Sequence, residues 1–248
     1  MHSTRSLDNK VEISLQTDQK GIAGDVRDIL ALRANGESLG WEIGISSKHN
    51  HEAVKHPRIS PTINIGKQWM AINCDNEYWN DINKVFSELE PYRGTIKWNE
   101  IDDKETGVYV PLLKAVKNQI IRLSHYDEQK CANNLVYYLI GKKDFYKAIV
   151  QPKQHQLRIQ AFNLNGLLNL SADRVRPKLK VPRLRLPNRL YSIDFVENSN
   201  NTIRIILDEG WQISMRIHSA STMVETSLKM DVRLEGLSPN VFAQTVSF

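Results

Sequence analysis

Apolar and polar residues alternate without a break at residues 11–16, Val11-Glu12-Ile13-Ser14-Leu15-Gln16. That period of two is the pattern of a half-buried strand. Two more apolar runs, residues 28–33 and 41–47, flank Asn35-Gly36, a dipeptide suited to the positive φ angles of a tight hairpin turn. In the second of these strands Glu42, Gly44, Ser46 and Lys48 share one face. Trp41, Ile43 and Ile45 share the other, which should pack on the core. Residues 51–56 are polar and short, and predict a single helical turn ended by Pro57.

The period then changes from two to 3.6. Trp79, Ile82, Val85, Phe86 and Leu89 recur at helical spacing behind Asp75, a residue suited to an N-cap, and Pro91 stops the run. Leu112, Val116, Ile120 and Leu123 define a second helix that opens at Pro111. Ser124, with Asp127 and Glu128 behind it, predicts a capped third helix through Leu139, ended by Gly141. From about residue 144 the alternation returns at 145–150, 156–162, 190–196, 202–207, 210–218 and 227–234. No internal repeat is present. The expected fold is mixed α/β or α+β, a core over residues 1–143 that carries the hairpin and the helices. A β-rich part over 144–248 forms a second sheet or subdomain of the same domain.

Composition narrows this only a little. With 248 residues, 41% hydrophobic and 25% charged, the chain is long enough to bury a core and ordinary for a soluble globule. Thirty-three basic residues against 28 acidic give a net charge of +5, which permits polyanion binding without requiring it. No run approaches the ~18 apolar residues of a membrane span, and the first residues lack the apolar stretch of a signal peptide. Cys74 and Cys131 are far apart and fit no metal spacing, which suggests a reducing cytoplasm.

The hairpin carries the chemistry. Paired strands would bring the carboxylate of Asp28, at the head of one run, to Lys48, at the end of the next. A carboxylate that holds a divalent metal beside a lysine can hydrolyse a phosphodiester, and Mg²⁺ takes only one or two carboxylates plus water and phosphate. Lys48 would orient the attacking water or offset negative charge. Asp25, three residues before Asp28, competes for the metal. In the common Asp…(Asp/Glu)-x-Lys arrangement the residue two before the lysine is a second carboxylate, whereas here it is Ser46. Glu42 has the right parity but lies roughly 20 Å from Lys48 along a regular strand. That is too far to share one ion, so Glu42 belongs to the catalytic site as a supporting or structural residue. Either Ser46 offers a hydroxyl or water contact, or a carboxylate arrives from Glu12 or Glu52. An ordinary surface hairpin would also place an Asp and a Lys twenty residues apart.

Cations gather behind the lysine. Lys48, His49, Asn50, His51, Lys55, His56 and Arg58 fall within eleven residues and suit a phosphate backbone. A zinc site from His49, His51 and His56 is the competing reading, though no cysteine pair accompanies it. Between 174 and 189 stand Arg174, Arg176, Lys178, Lys180, Arg183, Arg185 and Arg189, separated by apolar residues and by Pro177, Pro182 and Pro187. An extended strip of this kind suits phosphate contacts or guanine reading, and equally a charge-protected edge strand. In residues 210–218, Gln212, Ser214, Arg216 and His218 share one strand face and could bond base edges or phosphates.

The stretches Gly24-Asp25-Val26-Arg27-Asp28-Ile29-Leu30 and Trp41 to Ser60 resemble the HaeIII family of type II restriction endonucleases. So do Gly210-Trp211, Arg216 to Ala220 and Glu225 to Lys229. The run Ser-x-Lys-His-Asn-His-x-Ala-x-Lys-His is the specific part, and the matching blocks lie near both ends of the chain. The resemblance implies a PD-(D/E)XK core, a mixed central sheet flanked by helices, and Mg²⁺-dependent cleavage of double-stranded DNA at GGCC to blunt ends. It implies Asp28 as metal carboxylate and Lys48 as catalytic lysine, with Ser46 departing from the usual acidic position. A palindromic target favours a two-fold dimer, and a companion methyltransferase is expected from the family. Members of the family carry more sequence before the first strand, typically a helix that can supply an acidic residue, so a truncated amino terminus is expected. A DNA-binding protein that no longer cuts is the corresponding alternative, and a zinc-dependent hydrolase using the histidines is another.

Overall fold

The parallel pairing of two strands nearly a hundred residues apart organises the molecule. The computed structural model describes residues 11–16, 25–35, 38–49, 53–168 and 179–248. Strand β3 (Ser38–His49) lies parallel to β6 (Phe145–Gln151), with Ser46 opposite Lys147 and Lys48 opposite Ile149. Parallel neighbours need a long crossover, and here the intervening chain supplies every α-helix among the described residues. Around this pair, β1 (Val11–Leu15), β2 (Ile29–Asn35), β7 (Gln156–Phe162) and β12 (Phe242–Ser247) complete a six-stranded sheet in the order β1-β2-β3-β6-β7-β12.

A second sheet has the order β4-β11-β10-β9-β8. Its strands are β4 (Ala53–Lys55), β8 (Leu190–Phe195), β9 (Thr202–Leu207), β10 (Gln212–His218) and β11 (Leu228–Gly236), with β5 (Arg58–Ile59) also paired to β11. Helices α1 (Asn76–Leu89), α2 (Val110–Tyr126) and α3 (Glu128–Ile140) belong to the same unit as this sheet. The chain thus forms two compact units, each assembled from distant stretches. One contains the described residues of Met1–Glu52, Gly141–Arg185 and Asn240–Phe248, and the other contains Ala53–Ile140 and Leu186–Pro239. One boundary, between Ile140 and Gly141, lies close to residue 144, but the stretches on either side of it are shared between the units, because β6 and β7 join the hairpin's sheet while the helices join the C-terminal strands.

Sequence periodicity explains most elements. Asp75 caps α1 by accepting from the Tyr78 amide at 2.9 Å, and Ile82, Val85, Phe86 and Leu89 are buried on one side. Pro111 sits in the first turn of α2, and Leu112, Val116, Ile120 and Leu123 are buried. Helix α2 packs on β8 and β9. The inward residues of that sheet, Ile203, Ile205, Ile213, Met215, Ile217, Met230 and Val232, are fully covered. Each such side chain contributes about 1.5–3 kcal/mol relative to exposure. In the first sheet Phe145 and Phe162 stack at 4.9 Å across the β6–β7 pair.

Three expectations change. Helix α2 runs past Ser124, whose hydroxyl bonds back to the Ile121 carbonyl at 2.7 Å instead of capping. Asp127 takes the capping role for α3, accepting from the Lys130 amide at 3.1 Å, and Gly141 ends the helix at φ 92° as expected. Residues 53–55 form strand β4 against β11, not a helical turn, since three residues gain more from a sheet edge than from an unsupported turn. The edge strand β12 lacks a strong alternation and was not expected; it is held by pairing with β7. The turn residues Gly36 and Glu37 and the side chain of Trp41 lie outside the described residues.

Asp75 joins two supports, since its carboxylate also takes Arg122 through Nε at 2.6 Å and Nη2 at 3.0 Å. Burial raises its pKa, but the Arg122 bonds and charge prevail and hold it below the usual carboxylate range. A carboxylate with a depressed folded pKa stabilises the fold fully above its unfolded value and loses that contribution as pH falls through the folded one. Asp75→Asn keeps a capping oxygen but loses the charged pair with Arg122, and should lower stability by about 0.5–1 kcal/mol near neutral pH in urea unfolding. Its further loss of stability on acidification below about pH 4 should be shallower than that of the native chain.

Candidate active site and nucleic-acid interface

Asp28 stands immediately before β2, and the register Ile29↔Ile45 sets it across from Ser46. Its backbone amide donates to the Ile45 carbonyl at 2.8 Å. Three donors converge on its Oδ2: the Ser47 amide at 2.6 Å, the Ser46 hydroxyl at 3.3 Å and the Lys48 ammonium at 3.7 Å. The Asp28 side chain is 47% exposed and that of Lys48 21%, so the carboxylate can meet a ligand while the lysine lies half-covered beside it. Asp28, Ser46 and Lys48 are thus brought together on one face of the sheet.

Asp25 and Glu42 go elsewhere. Arg27 donates to Asp25 from its amide at 3.2 Å, from Nε at 2.7 Å and from Nη2 at 2.7 Å, and its Nη1 bonds Glu42. The arginine side chain is buried and pairs with both acids. Burial raises the pKa of Asp25, yet the Arg27 hydrogen bonds and charge outweigh it and hold the carboxyl below its usual range. Asp25, expected to compete for the metal, and Glu42 therefore form a clamp around one guanidinium, which ties the chain entering β2 to the middle of β3. Glu12 pairs with Leu32, four positions along β2 from Asp28, so it is also out of reach. Glu52 lies outside the described residues.

Gly44 belongs to the same clamp. A Cβ there would stand 2.0 Å from Arg27 Cδ and 2.8 Å from Cγ, so the arginine stem crosses β3 where a side chain would otherwise project. Two polar residues missed by the sequence reading extend the row on this face. Lys147 lies opposite Ser46 and Gln160 opposite Lys147, and both are buried. The available signal was a lysine at the inward position between Phe145 and Ile149, where the strand pattern calls for an apolar residue.

Among the described residues, no group of three or more His, Cys, Asp or Glu could hold a metal. The donor set at Asp28 nevertheless suits a hard cation that keeps most of its water, because it offers one half-exposed carboxylate and a neighbouring hydroxyl. Cys74 and Cys131 are free thiols, and burial pushes them up to about 11 and about 12, which leaves them protonated and inert.

The expected DNA contacts separate by location. His49 is exposed at the end of β3, and Asn50 and His51 lie outside the described residues, as do Arg174, Arg176 and Lys178. Residues 179–189 run without regular structure, with Val181 and Leu184 buried and Arg183 and Arg185 exposed. The strip is anchored to the β7 exit, where Leu184 N donates to Asn163 O at 2.9 Å and Arg183 Nε to Leu164 O at 3.0 Å. Lys55 points the other way from the polar face of its sheet. It pairs with inward-facing Val232, donates to the Tyr138 carbonyl at 3.0 Å and lies 3.6 Å over the Tyr138 ring. Arg216 and His218 stand on the outer face of β10, beside Lys229 and Arg58 across β11 and β5.

Comparison with known proteins defines the class as type II restriction endonuclease. Residues 2–238 match the HaeIII restriction endonuclease family, and the chain belongs to that family. It is 42% identical over 234 residues to the type II restriction enzyme HaeIII of Haemophilus aegyptius, covering 93% of this chain and 72% of that protein. No solved structure matches the chain. The protein therefore cleaves DNA in a sequence-specific manner, and enzymes of this class generally use divalent metal ions. Neither a zinc-dependent hydrolase nor a binder without cleavage is favoured. No helix among the described residues is long and apolar enough to cross a membrane.

Because Arg27 is pinned at both ends of its guanidinium, its stem cannot swing aside for a methyl group. Gly44→Ala should cost about 1–3 kcal/mol in chemical or thermal unfolding through overpacking. It should also weaken cleavage, since the clamp holds the segment that presents Asp28. Unchanged stability and unchanged cleavage together would show that Arg27 yields freely.

Proposed function

We propose that the chain cuts double-stranded DNA at GGCC, leaving blunt ends, with Asp28 and Lys48 as its catalytic pair and Mg²⁺ as its cofactor. The observation that carries this reading is the convergence of Lys48, Ser46 and the Ser47 amide on the Asp28 carboxylate. The antiparallel hairpin β2–β3 with β3 parallel to β6 supports assigning this unit to a PD-(D/E)XK core, in which Ser46 stands at the usual acidic position.

Mg²⁺, when bound, supplies Lewis acidity that generates hydroxide near neutral pH and neutralises charge on the phosphate. Asp28 would hold it. Among the described residues no donor engages Oδ1, while the Ser46 hydroxyl and the Ser47 amide fix the carboxylate through Oδ2. Lys48 orients the attacking water and offsets the charge that develops on the phosphate oxygens. The water attacks phosphorus in line with the departing O3′, so the products carry a 5′-phosphate and a 3′-hydroxyl. Asp25 and Glu42 act at one remove, by holding Arg27.

His49, Arg58, Arg183, Arg185, Arg216 and His218 supply contacts to the duplex, together with Asn50, His51, Arg174 and Arg176. The GGCC palindrome has two-fold symmetry, which a homodimer matches with one active site per strand. The setting is the cytoplasm of a prokaryotic cell, where the DNA substrate lies.

Digestion of a plasmid with several GGCC sites should yield discrete blunt fragments with Mg²⁺ and none with EDTA. Asp28→Asn and Lys48→Ala should each lower the cleavage rate by about 10²-fold or more while retaining binding to a GGCC duplex. Cleavage that survives EDTA, or a fully active Lys48→Ala enzyme, would remove this assignment.

A further inference from the structure

The outer face of the second sheet holds an arrangement that a merely solvated surface does not require. Asp231, in the middle of β11, is buried with its side chain 9% exposed, yet two arginines and a histidine approach it. Arg233 reaches its Oδ2 from Nη2 at 3.1 Å and from Nε at 3.3 Å, Arg216 approaches the same oxygen from Nη2 at 3.7 Å, and His56 Nδ1 lies 3.6 Å from Oδ1. The register explains the convergence. Arg216 is directly opposite Asp231 on β10, and Arg233 is two residues along β11, so all three project from one face.

Charge on this face is distributed unevenly. Arg58 has Glu225 as its carboxylate and Arg204 has Glu235, whereas Arg216 and Arg233 share Asp231 between them. The pair therefore carries net positive charge. Both side chains remain about half exposed while their inner amino groups meet at one oxygen. A guanidinium presents five N–H donors in a planar fork, and the carboxylate engages only one edge of each. What remains on the outside is the free part of two guanidinium groups whose Nη2 atoms stand 3.7 Å and 3.1 Å from one carboxylate oxygen, neighbours on the scale of base pairs that stack about 3.4 Å apart.

We propose that Arg216 and Arg233 are specificity-determining residues that read adjacent guanines through O6 and N7, and that Asp231 is the positioning residue that aims them. The assignment rests on the GGCC reading above, which places two adjacent guanines on each strand. Bidentate contact to O6 and N7 is the pairing that distinguishes guanine from the other bases in the major groove, and it requires a guanidinium whose plane is already fixed. Asp231 holds the Arg233 plane through two hydrogen bonds and draws Arg216 toward the same oxygen by charge. Ser214, buried between Arg204 and Arg233 in the register, leaves room on the sheet for the forks. The same face continues with His218, Lys229 and Arg58, which suit the flanking phosphates.

The test is binding of the full chain, without cleavage-supporting metal, to a GGCC duplex, to a scrambled duplex, and to a GGCC duplex containing 7-deazaguanine, which lacks the N7 acceptor. Native protein should prefer GGCC and lose affinity for the 7-deaza duplex. Arg216→Ala and Arg233→Ala should each bind GGCC about tenfold to a hundredfold more weakly and bind the scrambled duplex nearly as before. Each variant should also lose the penalty for 7-deazaguanine at the base it reads. Asp231→Asn should reduce the GGCC preference while leaving scrambled binding intact, and unfolding curves would show that the variants are folded. Variants that keep the native GGCC preference, or that weaken both duplexes equally, would overturn the proposal while leaving the nuclease assignment standing. Native protein with no preference for GGCC would instead overturn the recognition sequence itself, and this assignment with it.

Discussion

Ile29 lies opposite Ile45 across the β2–β3 pair, and from that pairing the site follows. It sets Asp28 across from Ser46 and within reach of Lys48, two residues further along the same face. In a sheet the side chains alternate, so a slip of one residue would carry Lys48 to the opposite face and leave Asp28 without it. The register is held on both sides. Arg27 ties the incoming segment to Glu42 and Asp25, and β6 fixes β3 from its other edge, with Lys48 opposite Ile149. Asp25, which its place beside Asp28 offered as a competing metal ligand, is used with Glu42 to build that constraint.

Each unit employs the same physical device, a buried or half-buried ion cluster that holds neighbouring side chains in place. Around Arg27, two carboxylates hold one cation. Around Asp231, one carboxylate holds two arginines and approaches a histidine. Such pairs contribute little net stability after desolvation, and breaking them by removing one partner is costly. Their value is geometric, because they define where a carboxylate or a guanidinium points before any substrate arrives. Preorganisation of this kind is what both phosphoryl chemistry and base reading require.

Helical positions were legible because period and caps agree. Asp75, Pro111 and Gly141 act where local rules place them. Ser124 fails as a cap because its position is buried on the continuing face of α2, where bonding back to Ile121 satisfies the hydroxyl better than ending the helix. Lys55 shows the same limit. The composition of residues 48–58 marks it as one more cation for DNA, but its place on β4 turns it inward to Tyr138.

Local sequence by itself determined the helices, most strands, the hairpin and the pairing of Asp28 with Lys48, since these depend on residue type and on periods within about twenty residues. Tertiary structure decided what depends on distant register. It placed Asp25 and Glu42 on Arg27, set Lys147 and Gln160 beside Ser46, turned residues 53–55 into a strand, and gathered Arg216 and Arg233 on Asp231. The reason is that a strand's own sequence specifies which of its residues share a face, whereas only its neighbours in the sheet specify what that face meets.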